Sequence, residues 1–382
     1  MTKLEQLIEE LCPNGVSYKE LSALCCIETG KLNANAATEN GRYLFFTTAK
    51  EISRIDSYRW DAEALLIAGN ANVGDVKYYV GKFEAYQRTY VLTKFSHEIS
   101  AKFLYYYLNN SLREYLDSRK NDAAMTYIVL STLQHFLVPT PPLPVQSEIV
   151  RILDNFTELT AELTAELTAR KQQYEYYRDA LLAFDTDVPM VKLADIATDI
   201  YRGAGIKRDE VTSDGIPCVR YGEIYTSYDI SFTKCISHTS EDVVPNPKFF
   251  EHGDIIFTIT GESVEEIAKS IAYLGYEKCM AGGDTVVMKH NQEPRYISYA
   301  LSTSNAQAQK SKGKVKSKVV HSSVPALREI TIPLPDMATQ TKIADLLDHF
   351  HKLCTDITEG LPAEIEARQK QYEYYRDKLL SF

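Results

Sequence analysis

The fourteen residues "KQQYEYYRDALLAF" (Lys171–Phe184) return almost letter for letter as "QKQYEYYRDKLLSF" (Gln369–Phe382). A 382-residue chain that writes one helical phrase twice points to a repeated architecture, in which each copy is a unit that packs in the same way. The duplicated unit is longer than the phrase. It begins at "LPVQSEIVRILDNF" (Leu143–Phe156) and again at "QTKIADLLDHF" (Gln340–Phe350), after the Pro-rich lead-ins "VPTPPLP" and "TIPLP". Gln146 matches Gln340 at an offset of 194 and Thr157 matches Thr355 at 198, so the second copy carries four extra residues, "HKLC", close to one helical turn.

The first unit sets Leu153, Phe156, Leu163, Leu167, Tyr174, Tyr177, Leu181 and Phe184 on one helical stripe, broken from a strict heptad only at Thr160 and Arg170. That spacing predicts a coiled-coil seam. Its middle is a run of quartets, "TELTAELTAELTAR", rich in the helix formers Ala, Glu and Leu, with threonines free to face solvent. The second unit gives Leu347, Phe350, Cys354, Leu361, Ile365, Tyr372, Tyr375, Leu379 and Phe382, with the extra turn entering as a stutter. Two helices with matching seams are expected to pair with each other. Pro362, after Gly360, predicts a kink or short break in the second.

Between the helical units lie two globular stretches of similar size. The reading divides the chain into an N-terminal helix (1–13), a first domain (14–141), a first spacer helix (142–187), a second domain (188–335) and a second spacer helix (336–382). Both stretches show short alternating runs punctuated by Gly, Asn and Asp, as strands and turns require. In the first these are "YLFFTTA", "ALLIAGN", "VKYYVGKF" and "RTYVLTKF", followed by the helix "AKFLYYYLNNSLREYL". In the second they are "PCVRYGEI", "GDIIFTITG", "SIAYLGY" and "DTVVMKH", followed by "RYISYALSTSNAQ". The order is the same, and the fold class is α+β, a cyclic repeat of domain and helix with pseudo-twofold character.

No catalytic pattern appears: there is no phosphate-binding G-x-x-x-x-G-K-[ST], no G-x-S-x-G, no H-E-x-x-H and no paired Cys/His spacing. His349 and His351 stand two apart, which puts them on different faces of a helix. The seven cysteines are scattered, and the adjacent Cys25 and Cys26 read as buried apolar residues. The N-terminus "MTKLEQLIEELCPNG" interleaves Leu with Glu, unlike a signal peptide, and no run approaches the roughly 18 apolar residues of a membrane span. A cytoplasmic protein is expected.

The net charge of −10 opposes a phosphate-rich partner only if charge is evenly spread. It is not: from Pro294 to Arg328 there is no Asp or Glu, while Arg295, Lys310, Lys312, Lys314, Lys316, Lys318 and Arg328 are all cationic. "AQKSKGKVKSKVVHSS" alternates Lys with small residues, a form suited to a phosphate ladder. Its counterpart in the first domain is "DSRKNDAAMTY", with Arg119, Lys120 and Asn121. Loop side chains able to reach base edges are Arg42, Asn70, Asn72, Lys77, Gln87 and Arg88 in the first domain, and Arg202, Lys207, Arg208, Arg220 and Thr260 in the second. A solvated surface is the plainer account of each residue alone; together they fit a reader of DNA.

The order domain, helix, domain, helix, the motifs "PPLPVQSEIVRILD" and "LPDMATQTKIADLLD", the "QYEYYRD" phrases, and "GKFEAYQRTYVL" and "GIPCVRYGEI" within the domains resemble the specificity subunit of type I restriction-modification enzymes. The resemblance covers nearly the whole chain. It implies two target-recognition domains, each reading one half of a split double-stranded DNA site, held apart by an antiparallel helix pair. It also implies docking of two methyltransferase subunits on the helical spacer and domains, and two motor-nuclease subunits completing the enzyme. No cofactor is expected in this chain; S-adenosylmethionine, ATP and magnesium would belong to those partners. Gln146 to Phe184, 39 residues, would span roughly 58 Å as a helix, enough to hold the domains about one DNA turn apart. Adding or deleting one quartet is expected to change the unread gap and leave the half-sites intact. Three rivals stand: a coiled-coil scaffold with two protein-binding domains, an enzyme with dispersed catalytic carboxylates, and a specificity subunit that no longer supports methylation.

Overall fold

The computed structural model describes residues 2–119, 127–184, 187–240, 242, 244–312, 319–355 and 360–382. The chain forms two compact units, one of Met1–Thr164 with Ile365–Phe382 and the other of Ala165–Glu364. Each spacer helix is therefore shared: the first half of one and the end of the other belong to the same unit.

In the first unit, alternation of side chains across a strand explains how one sheet serves two cores. Trp60–Ala68 turns Leu65 and Ile67 toward the helix Ala101–Asp117, where they pack with Phe103 and Leu104. Its Ala64 and Leu66 point the other way, into a smaller core with Phe46, Trp60, Phe83 and Val91. Six strands make the sheet, in the order Cys26–Thr29, Thr89–Thr93, Trp60–Ala68, Val76–Ala85, Tyr43–Phe46, Ser53–Ile55. All neighbours are antiparallel except Tyr43–Phe46, which runs parallel to Val76–Ala85.

The second unit repeats the plan. Ala197–Arg202, Thr285–His290, Ile255–Thr258 and Ser270–Tyr273 follow one another in the order of the first four strands above, with Ser231–Phe232 completing the sheet. Ile255 and Phe257 pack against the helix Pro294–Ser302, and Ile256 faces the opposite core with Val287 and Ile271. Here the copies part: Ile216–Val219, placed in the chain like Tyr43–Phe46, belongs to a separate five-stranded sheet with Cys279–Ala281 and three other strands. A two-stranded ribbon closes each domain, Tyr18–Glu20 with Leu137–Pro139 and Met190–Lys192 with Thr331–Pro333.

Small details of closure are also repeated. Gly30 donates its N–H to the carbonyl of Thr89, and Gly203 does the same to Thr285. A side chain at either glycine would collide with backbone, at 1.9 Å from the Ala85 oxygen in one copy and 2.1 Å from the Gly282 oxygen in the other. The buried hydroxyls of Thr89 and Thr285 each donate to a backbone carbonyl, of Phe46 and of Gly282.

The spacer helices run Leu143–Leu181, Met337–Thr355 and Leu361–Leu380. The interruption expected at Pro362 lies just before it. Pro362 is the second residue of the last helix, where its missing N–H breaks no helical bond. The seam pairs as anticipated: Phe156 stacks on Tyr375 with ring centres 5.5 Å apart in the first unit, and Phe350 on Tyr177 at 6.1 Å in the second. Phe350 is the repeat of Phe156 and Tyr375 that of Tyr177, so the same contact is made twice with the roles exchanged, as an antiparallel pairing of repeats requires. Leu153 is fully buried; Leu163, Leu167, Tyr174, Leu181, Leu361, Ile365, Tyr372 and Leu379 are half-buried; Tyr177 and Tyr375 cover one face on their partner rings and keep 42% and 36% of their surface exposed. Thr157, Thr160 and Thr164 donate to carbonyls four residues earlier in their own helix instead of simply facing water.

Two side chains on each spacer lock a domain to it. Gln146, fully buried, accepts from the Ser100 N–H at 2.8 Å and donates to the carbonyls of Glu98 and Pro141 at 2.7 Å. Gln340, equally buried, accepts from the Glu293 N–H at 3.1 Å and donates to the Pro335 carbonyl at 2.8 Å. Asp154 takes the Lys102 ammonium and the Tyr106 hydroxyl; Asp348 takes the Arg295 guanidinium and the Tyr299 hydroxyl. Among the described residues no helix is long and apolar enough to cross a membrane.

Candidate nucleic-acid interface

In the first domain, the strands Trp60–Ala68, Thr89–Thr93 and Tyr43–Phe46 bring one set of loops together. The turn at 69–75 follows the first strand, Tyr86 to Arg88 precede the second, and Thr47 to Ala49 follow the third. Asn72 donates to the Thr48 carbonyl at 2.7 Å, and the Lys77 ammonium reaches the Ala49 carbonyl at 3.2 Å and the Asp75 carboxylate. Gln87 donates to Asn33 at 2.9 Å. Gly69, Gln87, Arg88, Tyr90 and Ile128 line a cleft of 310 Å³. Tyr127, which pairs with Asn70 by backbone, lies under the Arg88 guanidinium at 5.8 Å. The Asn70 side-chain oxygen is buried with no hydrogen-bond partner among the described residues. Arg119 lies over Tyr115 at 4.3 Å, near the end of a helix whose Leu116 abuts Gly74. The structure thus gathers Asn70, Asn72, Lys77, Gln87, Arg88 and Arg119. Arg42 is exposed at the far end of Tyr43–Phe46 and does not join them. Lys120 and Asn121 lie outside the described residues.

In the second domain the corresponding end holds Arg202, at the close of its strand, paired to Asp284 at 2.5 Å. Gly205, Arg208, Arg220, Tyr221, Glu223 and Gly283 are among the residues lining a cleft of 610 Å³. Lys207 is exposed, and the Glu210 carboxylate 3.1 Å away raises its ammonium above the ordinary lysine value. Thr260 is buried, its hydroxyl 3.2 Å from His321 Nδ1.

Backbone hydrogen bonds tie the two ends to one scheme. Ile128 N–H donates to the Gly69 carbonyl beside the Asn70–Tyr127 pairing, and Ser322 N–H donates to the Ile259 carbonyl beside the Thr260–His321 pairing. Asn70 and Thr260, and Tyr127 and His321, occupy matching places. Tyr127, His321, Tyr221 and Glu223 were not singled out from sequence. A signal for the first pair existed: Tyr127 stands three residues before the short helix Leu130–Gln134, and His321 three before Val324–Arg328.

The basic run needs correcting. Lys310 is buried, its ammonium donating to the Leu301 carbonyl at 2.8 Å, and burial pushes it down to about 7. It is a core residue and presents no charge to a phosphate. Arg295 is likewise engaged, by Glu293, Asp345 and Asp348. Lys312 is exposed, just beyond a helix whose Ser311 hydroxyl donates to the Val264 carbonyl in the loop after Thr260. Lys314, Lys316 and Lys318 lie outside the described residues. Among the described residues no group of three or more His, Cys, Asp or Glu is placed to hold a metal ion.

The type I restriction modification DNA specificity domain matches the chain twice, over residues 13–170 and 186–367. The EcoR124I/EcoR124II type I restriction enzyme specificity subunit of Escherichia coli is 32% identical over 295 residues, 74% of this chain and 70% of its own length. A chain solved in work on complex assembly and conformational transition of the type I R-M system superposes with a TM-score of 0.65 at 12% identity, covering 96% of this chain and 98% of its own. The S subunit of the type I restriction-modification system from M. genitalium gives 0.55 at 16% identity, with 96% of both chains covered. At such identities these two structures speak for the fold.

Proposed function

The chain belongs to the type I restriction-modification DNA specificity family, and from that premise we propose that each of its two domains reads one half of an asymmetric, split site in double-stranded DNA through the loops gathered at its sheet end. One observation carries this reading. Both domains close corresponding strand ends with the same backbone bonds, at Asn70–Tyr127 and Thr260–His321, yet the clefts of the two domains are lined by different side chains: Gln87 and Arg88 in one, Arg208 and Arg220 in the other. Asn, Gln and Arg are the side chains that match base edges bidentately, and two unlike sets imply two unlike half-sites.

The remaining parts of the proposal extend this reading to the assembly. The spacer helices set the gap between half-sites and, with the outer faces of Tyr177 and Tyr375 exposed beside the seam, offer a surface to methyltransferase subunits. Two methyltransferase and two motor-nuclease subunits complete the assembly in the cytoplasm. This chain performs no catalysis, and S-adenosylmethionine, ATP and magnesium act on the partner subunits.

Duplex binding by the assembled chain and methyltransferase, titrated against salt, tests the reading. Binding that weakens steeply and linearly on logarithmic axes is the expected result, because phosphate contacts release counterions. Absence of duplex binding, or affinity indifferent to salt, would instead favour a scaffold whose domains bind proteins.

A further inference from the structure

Arg202, at the second domain's loops, is held by an exposed acid, but Arg220 is fastened from within. It directly follows the strand Ile216–Val219 and caps the helix Tyr221–Thr226. Glu223, in the first turn of that helix and almost wholly buried, receives the Arg220 backbone N–H at 3.0 Å, its Nε–H at 2.9 Å and its Nη2 at 2.8 Å. The same carboxylate takes the Ser237 hydroxyl at 2.7 Å. On the other side Gly282 abuts the arginine: a Cβ there would stand 3.2 Å from its Cα and 3.4 Å from its Cγ. The side chain is thus clamped between a buried anion and a glycine. Its guanidinium uses the Nε/Nη2 edge for Glu223, while Nη1 has no hydrogen-bond partner among the described residues. That leaves the outer Nη1/Nη2 edge for the cleft of 610 Å³ that Arg220 lines beside the exposed Tyr221.

We propose that Arg220 is the residue with which the second domain reads a guanine, its outer edge donating to the O6 and N7 acceptors of that base in the major groove. The assignment rests on the specificity reading above. It adds which residue recognises, which base, and why: a guanidinium oriented before binding loses little freedom when it meets the base. Arg202, more than half exposed and held by an exposed carboxylate, has no such orientation and serves phosphate positioning instead.

The test maps base modification in cells carrying the methyltransferase partner with the full chain, as wild type, Arg220→Lys or Arg220→Gln. Both variants should relax one guanine in one half-site, lowering discrimination there by about 10- to 100-fold and leaving the other half and the gap unchanged. Lysine keeps the charge but lacks the fork, so it should fail as glutamine does. An unchanged motif in either variant, uniform weakening at every position, or a wild-type half-site without guanine overturns the assignment. If a variant yields no modification at all, the wild-type complex decides: 7-deazaguanine at the identified position should weaken duplex binding by about tenfold, and equal binding overturns the proposal. A wild-type complex that modifies no split motif would defeat the specificity reading itself, a different failure from any of these.

Discussion

Set side by side, the two domains agree where the chain must hold together and disagree where loops meet solvent. Gln146 and Gln340 satisfy the backbone at the start of a domain helix, Asp154 and Asp348 take a cation and a tyrosine from that helix, and Gly30 and Gly203 permit the same close approach. At the sheet ends the correspondence survives only in the backbone. Asn70 stands where Thr260 stands, and Tyr127 where His321 stands. The difference teaches that side-chain identity is fixed by internal bonding in the frame, and is free to vary once the backbone alone closes the site.

The strongest way to break the comparison is to attack the frame. Gln146→Leu orphans the Ser100 N–H and two carbonyls and should cost about 3 kcal/mol in local stability, read as faster hydrogen exchange at the start of Ala101–Asp117. Gln340→Leu should do the same for Pro294–Ser302; a large effect in only one copy would show that the locks are not equivalent.

A smaller effect separates the copies by pH. His290 sits five residues after Thr285, where the first domain has the exposed Lys94 five after Thr89. Burial pushes His290 down to about 4 from 6.5. Its folded value lies below its unfolded one, so the neutral ring contributes stability above pH 6.5 that is lost as pH falls toward 4. Exchange in the second sheet should quicken over that window while the first sheet changes less, and His290→Gln should flatten the dependence.

The aspartates sharpen the comparison further. Arg295, only 21% exposed and held by three carboxylates, depends more on its partners than Lys102 at 44%. Asp348→Asn should therefore cost about 2 kcal/mol and Asp154→Asn about 1, read from the exchange of the two domain helices. Equal costs would mean that burial of the cation does not matter here. The smallest effect belongs to Lys310→Met, which should change stability by about 1 kcal/mol or less and leave the salt dependence of duplex binding unaltered, since that ammonium is buried. Lys312→Ala, by contrast, should reduce the salt slope by about 1.

Much of the frame was legible because it is local. Alternating runs gave most strands in order, although "PCVRYGEI" is a strand only as far as Val219 and turns into the helix Tyr221–Thr226; the heptad spacing gave the seam, and repetition marked the two spacers as partners, which meet at Phe156–Tyr375 and Tyr177–Phe350. Gln146 and Gln340 were visible as a repeated letter, but the bonds that explain them reach into another element. The lysine run misled in part because composition carries no direction: Lys310 turns inward and Arg295 meets three acids. The Asn70–Tyr127 and Thr260–His321 pairings were illegible for a related reason, since they join strand ends across long stretches of intervening chain. Glu223 was hidden as well; nothing in "RYGEIY" announces that its carboxylate folds back on Arg220.

The central claim is that one frame, used twice, reads two different halves of one DNA site. It is tested most directly by long-read detection of methyladenine in cells expressing this chain with its methyltransferase partner, against cells with the methyltransferase alone. A split motif of two unlike halves around a fixed gap, present only with this chain, is the expected result. No new motif, with the methyltransferase soluble and bound to the chain, would contradict it.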